Sequence, residues 1–256
     1  MFQQIANDPL HQFQVNTILP LKLGSWDISF TNASLWMVIA VLGVSLFLTL
    51  GIQRRALVPR RWQLMVEMAY EFVANTVRSN AGEEGMRFFP LVFTLFMFVL
   101  FCNLFGMIPY SFTVTSHIIV TFAMAMFVFL TVILVGLMRH GLRFFKLFVP
   151  SGVPSWILPL IVPIELISFL SRPVSLSVRL FANMLAGHIL LVTFALLTES
   201  LITAHTQVFL LKPMAILPFF MLVFLTAFEV LVAFLQAYIF TILTAVYIGG
   251  AAHPEH

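Results

Sequence analysis

The sequence predicts an all-α integral membrane protein, and three observations carry that prediction. Of its 256 residues 61% are apolar and only 9% charged, and its 29 Phe and 13 Met outweigh its 10 acidic residues, outside the soluble-globular range. Apolar runs recur that exceed the roughly 20 residues a helix needs to cross about 30 Å of hydrocarbon. The basic residues form short clusters beside those runs, so a net charge of +3 describes membrane topology and argues against a nucleic-acid partner. The lone Cys102 lies in FPLVFTLFMFVLFCNLFG, so no disulfide within the chain, Cys-based metal site or iron–sulfur cluster can be built from it.

The elements follow in order. The opening MFQQIANDPLHQFQ lacks the basic start and long apolar core of a secretory signal, and residues 1–25 read as a tail. Residues 26–148 hold upright spanning helices, expected at Leu35–Ile52, Phe88–Ile108 and Ile118–Met138. Between the first two, about residues 61–79 read as an amphipathic helix lying on the membrane surface. There Trp62, Met65, Val66, Ala69, Phe72 and Val73 recur at helical spacing, with Glu67, Glu71, Asn75 and Arg78 interposed.

Residues 149–256 are organised differently. Trp156–Thr198 is 43 residues long, about 65 Å as a helix, and the 40-residue run Phe209–Ile248 succeeds it across a break at TESLITAHTQ. Neither can be an ordinary upright span. Either each breaks into pieces or the two make a long, strongly tilted helical hairpin, the reading favoured here. Pro159, Pro163 and Pro173 permit kinks in the first, whereas Pro213 and Pro218 lie at the start of the second, where proline costs least.

Lys and Arg distribution sets the orientation. Arg54, Arg55, Arg60, Arg61, Arg78 and Arg87 fall between the first and second spans, and Arg139, Arg143 and Lys146 follow the third. The alternate loops IPYSFTVTSH and TESLITAHTQ carry neither, and the tail has only Lys22. The positive-inside rule then places the N-terminus outside and the C-terminus inside.

What remains inside the hairpin is a short list of ionisable groups: Glu165, Arg172, Arg179 and Glu229, with His188 as a titratable companion and Lys212 near an end. Such groups cost kilocalories to insert and usually face protein or a water-filled path. At about 100° per residue, Glu165, Ser168, Arg172, Ser175, Arg179 and Asn183 share a sector of roughly 80°. His188 lies about 180° around the helix from Arg179 and roughly 13 Å further along, so the helix has two polar faces at different depths. Gln236 follows Glu229 by seven residues on one face.

In the orientation above, Glu165 belongs toward the inside, Arg179 near the middle and His188 toward the outside, a depth-ordered series of polar groups. Carboxylates and imidazoles can hold and pass protons, whereas an arginine stays protonated and suits a barrier or counter-ion. Blander readings stand beside this one. Glu165 with Arg172 could be a structural pair, His188 a helix-packing hydrogen bonder, and Asn103 and His117 either channel-facing or bonded to a neighbouring helix. Glu199 and His205 fall in the expected turn, where solvation explains them.

At SLSVRLFANMLAGH the sequence resembles subunit a of the rotary ATP synthases, the membrane stator beside a rotating ring of proteolipid subunits. PLIVPIELISFLSRPVSLSVRLFANMLAGHILL, FEVLVAFLQAYIFTILTAVYI and NLFGMIPYSF are similar to that family too, so the resemblance covers nearly the whole chain. It implies that Arg179 faces the ring carboxylate and separates two half-channels. His188, Glu229, Asn183 and Gln236 would serve the outer path or the arginine's surroundings, Glu165, Arg172, Ser168 and Ser175 the inner path, with Asn103 and His117 as further candidates.

Bacterial members commonly carry Glu at the position of His188 and His at that of Glu229. The exchanged pair and the NDPLHQF tail resemble mitochondrial, fungal members. That implies the mitochondrial inner membrane, with the N-terminus on the intermembrane side, the C-terminus in the matrix and a leader of about Met1–Ala6. The implied partners are the proteolipid ring, a peripheral stalk, other small membrane subunits and the lipid bilayer. No cofactor or metal is expected, and no G-x-x-x-x-G-K-[ST] phosphate loop occurs, so nucleotide chemistry would belong to partners.

Two rivals fit less well. A secondary transporter, with Arg179 binding an anion and Glu229 coupling protons, should show paired repeats with interrupted helices. A haem-bearing subunit should show facing histidines, and His117, His188 and His205 have no such spacing.

Overall fold

The computed structural model describes residues 13–20, 22–23, 26–27, 29–53, 61–108, 111–141, 156–203 and 213–252. Helices dominate: α1 (Asn32–Ile52), α2 (Arg61–Gly85), α3 (Phe89–Gly106), α4 (Ile118–His140), α5 (Leu158–Thr203) and α6 (Ile216–Ala252). Five stretches are long and apolar enough to cross a membrane, namely Asn32–Ile52, Arg61–Gly106, Ile118–Arg139, Leu158–Thr203 and Pro213–Gly250. The chain is an all-α integral membrane protein, as its composition demands.

The tail adds a detail that composition did not reveal. Short strands β1 (Thr17–Leu19), β2 (Lys22–Leu23), β3 (Trp26–Asp27) and β4 (Phe30–Thr31) form two antiparallel pairs, β1 with β4 and β2 with β3. They lie outside the apolar spans, where backbone groups can pair locally.

Two compact units divide the chain, one of Met1–Leu42, Leu100–His117 and Leu180–Gln236, the other of Gly43–Val99, Ile118–Arg179 and Ala237–His256. In the second unit, α2 buries Val66, Val73, Ala74, Thr76, Val77 and Ala81. This stripe differs from the expected one, because Trp62 and Met65 stay exposed while small residues further along the helix make the contact. The expected helical end near residue 79 shifts by a couple of residues, since helix continues to Ala81 and breaks at Gly82, whose positive φ of 68° suits glycine. Beyond it, Arg78 pairs with Glu83 and Arg139 with Glu84, exposed ion pairs worth about 0–1 kcal/mol each. Phe72 stacks at an angle between Phe96 of α3 and Tyr238 of α6, at 5.8 and 5.2 Å between centroids.

In the first unit, α3 ends at Gly106, whose carbonyl accepts hydroxyl hydrogen bonds from Ser111 and Thr113, both 3.0 Å. A Cβ at Gly106 would sit 2.7 Å from Thr113 Cγ2, so the loop can fold back this closely only over glycine.

The long helices depart from the expected boundaries. α5 is continuous over 46 residues with Pro163 and Pro173 inside it, so these prolines do not split it as one alternative allowed. Each removes one backbone donor, a loss a membrane helix tolerates where neighbours and hydroxyls compensate. α5 also runs past Thr198 to Thr203, because Thr198, Ser200 and Thr203 donate to the Phe194, Leu197 and Glu199 carbonyls of the preceding turn. The polar letters TESLIT, expected to open a turn, therefore stay helical, with Glu199 exposed. Phe209, the expected start of the last helix, lies outside the described residues, as do Arg54, Arg55, Arg60, Arg143, Lys146, His205, Lys212 and the leader at Met1–Ala6. Among the described residues α6 begins at Ile216.

α6 meets α2 at a narrow point. A Cβ at Gly249 would stand 2.9 Å from both Ala81 Cα and the Asn80 carbonyl oxygen, whereas one at Gly250 would meet nothing within 4 Å. Gly249→Val is therefore expected to destabilise the protein by about 1–3 kcal/mol through overpacking, and Gly250→Val much less. Thermal unfolding of the two variants in detergent checks this, and equal midpoints would refute the close approach.

Candidate functional site

The polar groups inside the apolar helices fall into two clusters, one in each unit. In the second unit they lie along the first half of α5. Ser168, Ser175 and Arg179 are exposed, while Glu165 and Arg172 are half-buried. None of the described acidic residues pairs with Arg179. On an apolar helix this leaves an exposed fixed cation, flanked by exposed Val174 and Val178.

Arg172 is treated differently by the fold. Its guanidinium lies 5.3 Å from the Phe169 ring centroid and 5.0 Å from that of Tyr247 on α6, with Glu165 Oε1 3.9 Å from Nη2. Two aromatic faces thus hold the cation, and a small cavity lined by Val128, Phe129, Leu176 and Tyr247 adjoins it. Of the residues expected on one stripe, the structure brings Glu165 and Arg172 together and leaves Ser168, Ser175 and Arg179 on the open side. The alternative reading of Glu165 with Arg172 as a structural pair gains from this clamp.

The first unit gathers the rest. Asn183 is exposed on α5, whereas His188 is 9% exposed, Glu229 4% and Gln236 7%. On α5, Arg179 and Asn183 are thus exposed, whereas His188, half a turn around the helix from Arg179, is buried. Asn103 of α3 is fully buried and donates from Nδ2 to the Ala233 carbonyl at 3.2 Å, one turn beyond Glu229 on α6. His117 belongs to its own loop, stacked on Phe112 at 4.7 Å, and burial pushes its pKa below the ordinary imidazole value.

This cluster is short of hydrogen bonds. Asn103 Oδ1, His188 Nδ1 and both Glu229 carboxyl oxygens are buried without a partner among the described residues. Buried polar atoms are costly when unpaired, so this concentration sets the cluster apart from the apolar packing around it. Exposed Glu199, by contrast, fits ordinary solvation.

Sequence reasoning passed over Gly187. A Cβ there would lie 3.0 Å from Glu229 Oε1, 3.2 Å from Cδ and 3.4 Å from Cγ. The carboxyl group therefore packs over the bare α5 backbone. Gly187 is adjacent to His188 in AGH, and a small residue beside a buried ionisable group was the only signal available. In the second unit, Tyr247 was similarly missed, since an aromatic in an apolar helix carries no distinguishing pattern.

The contact gives a measurable coupling. Gly187→Ala should cost about 1–3 kcal/mol of stability by overpacking, and Glu229→Ala in the same chain should recover most of that increment. A double-mutant cycle of thermal unfolding reads it; strictly additive effects would show that the two residues do not touch.

Comparison with known proteins identifies the chain's relatives. The family model described as ATP synthase A chain matches residues 34–249, which include most of α1, all of α2 to α5, most of α6 and both polar clusters. Similar proteins include the ATP synthase subunit a of Parvibaculum lavamentivorans, 59% identical over 97% of this chain and 95% of that protein. The Rhizobium meliloti subunit a is 58% identical over 98% and 99%. The Brucella anthropi subunit a 1 is 57% identical over 98% and 100% of the two chains. With a match along nearly its whole length, this chain belongs to the ATP synthase A chain family.

Proposed function

We propose that the chain is the non-catalytic, proton-conducting stator subunit of an ATP synthase, offering two offset half-channels to a rotating ring of proteolipid subunits. The observation that carries this is Arg179, an exposed cation without an acidic partner among the described residues, on an apolar helix. A partner that supplies a carboxylate at that depth would satisfy it, and a ring of carboxylate-bearing subunits does so repeatedly as it turns.

The mechanism follows from what each group can do. A proton enters from the outside through the buried cluster of His188, Glu229, Gln236 and Asn103, whose unpartnered atoms provide positions to bind and release it. It neutralises a ring carboxylate, which can then move through hydrocarbon at low cost. After nearly a full turn the site reaches Arg179, whose permanent charge favours the ionised carboxylate and drives the proton off along Glu165, Ser168 and Ser175 to the inside. Asn183 belongs to the surroundings of the arginine. Arg172, held by two rings, shapes the inner path as a fixed charge more than as a carrier.

Because a proton wire cannot pass a fixed cation, Arg179 also prevents a leak that would dissipate about 2.3 kcal/mol per charge per 100 mV. A strong tilt of α5 and α6 in the membrane lets their exposed apolar surface follow the curved face of a ring. The N-terminus is then outside and the C-terminus inside, with α2 along the inner surface and the peripheral stalk and small membrane subunits at the remaining faces.

The membrane is the point at which the expectation changes. A mitochondrial, fungal origin rested on the exchanged pair His188 and Glu229 and on the NDPLHQF tail. The relatives named above, at 57–59% identity, are from bacteria, so they give the mitochondrial inner membrane no support and favour an energy-conserving bacterial membrane.

Two expected outcomes test the reading in vesicles carrying the assembled complex. Arg179→Ala should abolish proton-driven ATP synthesis and raise passive proton flux, while ATP hydrolysis by the detached catalytic head continues; normal synthesis would overturn the proposal. Glu229→Gln should slow proton uptake by about 10-fold or more, the scale of losing one positioned acid–base group, with assembly preserved. Loss of assembly with normal flux in the residual complexes would return Glu229 to a packing role.

A further inference from the structure

The proton-path reading of His188 leaves open what holds its ring. A histidine that relays protons must keep a nitrogen uncommitted, because a hydrogen bond at that nitrogen selects the tautomer. His188 Nδ1 meets this condition, being buried without a partner among the described residues. The same freedom removes the hydrogen bond that usually orients an imidazole, so orientation must come from a contact that offers no polar atom.

Phe13 makes that contact. Its ring lies 5.7 Å from the His188 ring at an interplanar angle of 70°, an edge-to-face arrangement. Although Phe13 precedes every span, its position is tightly defined. Asn32, the first residue of α1, donates from Nδ2 to the Gln14 carbonyl at 3.0 Å and accepts at Oδ1 from the Asn16 N–H at 3.1 Å. Its own N–H donates to the Asn16 carbonyl at 3.0 Å, and Oδ1 also accepts from Ala33 N–H at 2.9 Å. The pairing of β1 with β4, Thr17 opposite Thr31, continues the attachment. The start of α1 therefore grips the residue immediately after Phe13, and all of these groups belong to the first unit.

We infer that Phe13 is a positioning residue for proton uptake: anchored through Gln14 to Asn32, its ring orients the His188 imidazole and walls one side of it without occupying Nδ1. This rests on the proton-conducting function proposed above. Loss of the ring lets the imidazole turn away from productive alignment, and transfer through it slows.

The test uses vesicles with the assembled complex, ATP synthesis being followed at a fixed limiting proton-motive force. Phe13→Ala is expected to lower the rate about 2- to 10-fold, the range of one edge-to-face contact, while hydrolysis by the detached head is unchanged. Phe13→Tyr should restore the rate and Phe13→Leu should not, because leucine fills space without a ring edge. Asn32→Asp keeps the acceptor and loses the donation to Gln14, so it should slow synthesis in the same sense. Its effect should be less than additive with that of Phe13→Ala, since both act through one ring.

Equal recovery by leucine and tyrosine would reduce Phe13 to packing and overturn the inference, as would an unaltered rate in Phe13→Ala or strict additivity with Asn32→Asp. If Phe13→Ala fails to assemble, the ranking of Tyr, Leu and Asn32→Asp complexes decides by the same criteria. Arg179→Ala, assayed in parallel, separates the two levels. Synthesis surviving in that variant sinks the function itself, whereas its loss beside a flat Phe13 series sinks only the role of Phe13.

Discussion

The cost of placing ionisable groups in hydrocarbon organises this protein. Each such group has to be neutralised, partnered or supplied with a polar neighbour, and the chain solves the problem differently for each one. Arg172 receives two aromatic faces and a nearby carboxylate, all from its own chain. His188 Nδ1 and both Glu229 carboxyl oxygens are buried without a partner among the described residues. Arg179 has no acidic partner among the described residues and is exposed. The three solutions are a cation clamped within its own chain, buried groups without a partner among the described residues, and an exposed cation; under the proposed function the second set would relay protons and the third would meet a carboxylate of the ring.

Close helix approach is the second requirement, and small residues meet it at specific points. Glu229 lies over Gly187, and α6 crosses α2 at Gly249. Lipid provides no hydrophobic force between helices, so association depends on such contacts and on internal hydrogen bonds. Hydroxyls that would otherwise be unsatisfied turn back on their own helices, as Thr241 and Thr244 do to Ala237 and Phe240. These back-bonds also explain why α5 continues through residues that read as a turn.

Legibility of the site varied with chemistry. Arg179, His188 and Glu229 stood out because charge is rare in apolar runs, and helical phase alone separated the open stripe from the His188 face. Gly187, Tyr247 and Phe13 did not stand out, since glycine and aromatics are common in membrane helices and tails. Their importance lies in what they touch, at separations of 42 residues for Gly187 and Glu229, 75 for Arg172 and Tyr247, and 175 for Phe13 and His188. Helix ends were similarly misplaced wherever side-chain back-bonds overrode local polarity.

By itself the sequence determined the membrane class, the number of long apolar segments and the ionisable residues among them, because hydrocarbon thickness and charge cost act on composition and spacing alone. Family membership was legible for the same reason, in contiguous motifs around Arg179. Only the tertiary structure decided that Arg172 is clamped while Arg179 is open, that Glu229 rests on Gly187, and that the tail delivers Phe13 to His188. Those outcomes depend on contacts between distant segments, where a difference of one Cβ or one ring decides the packing and no local pattern encodes it.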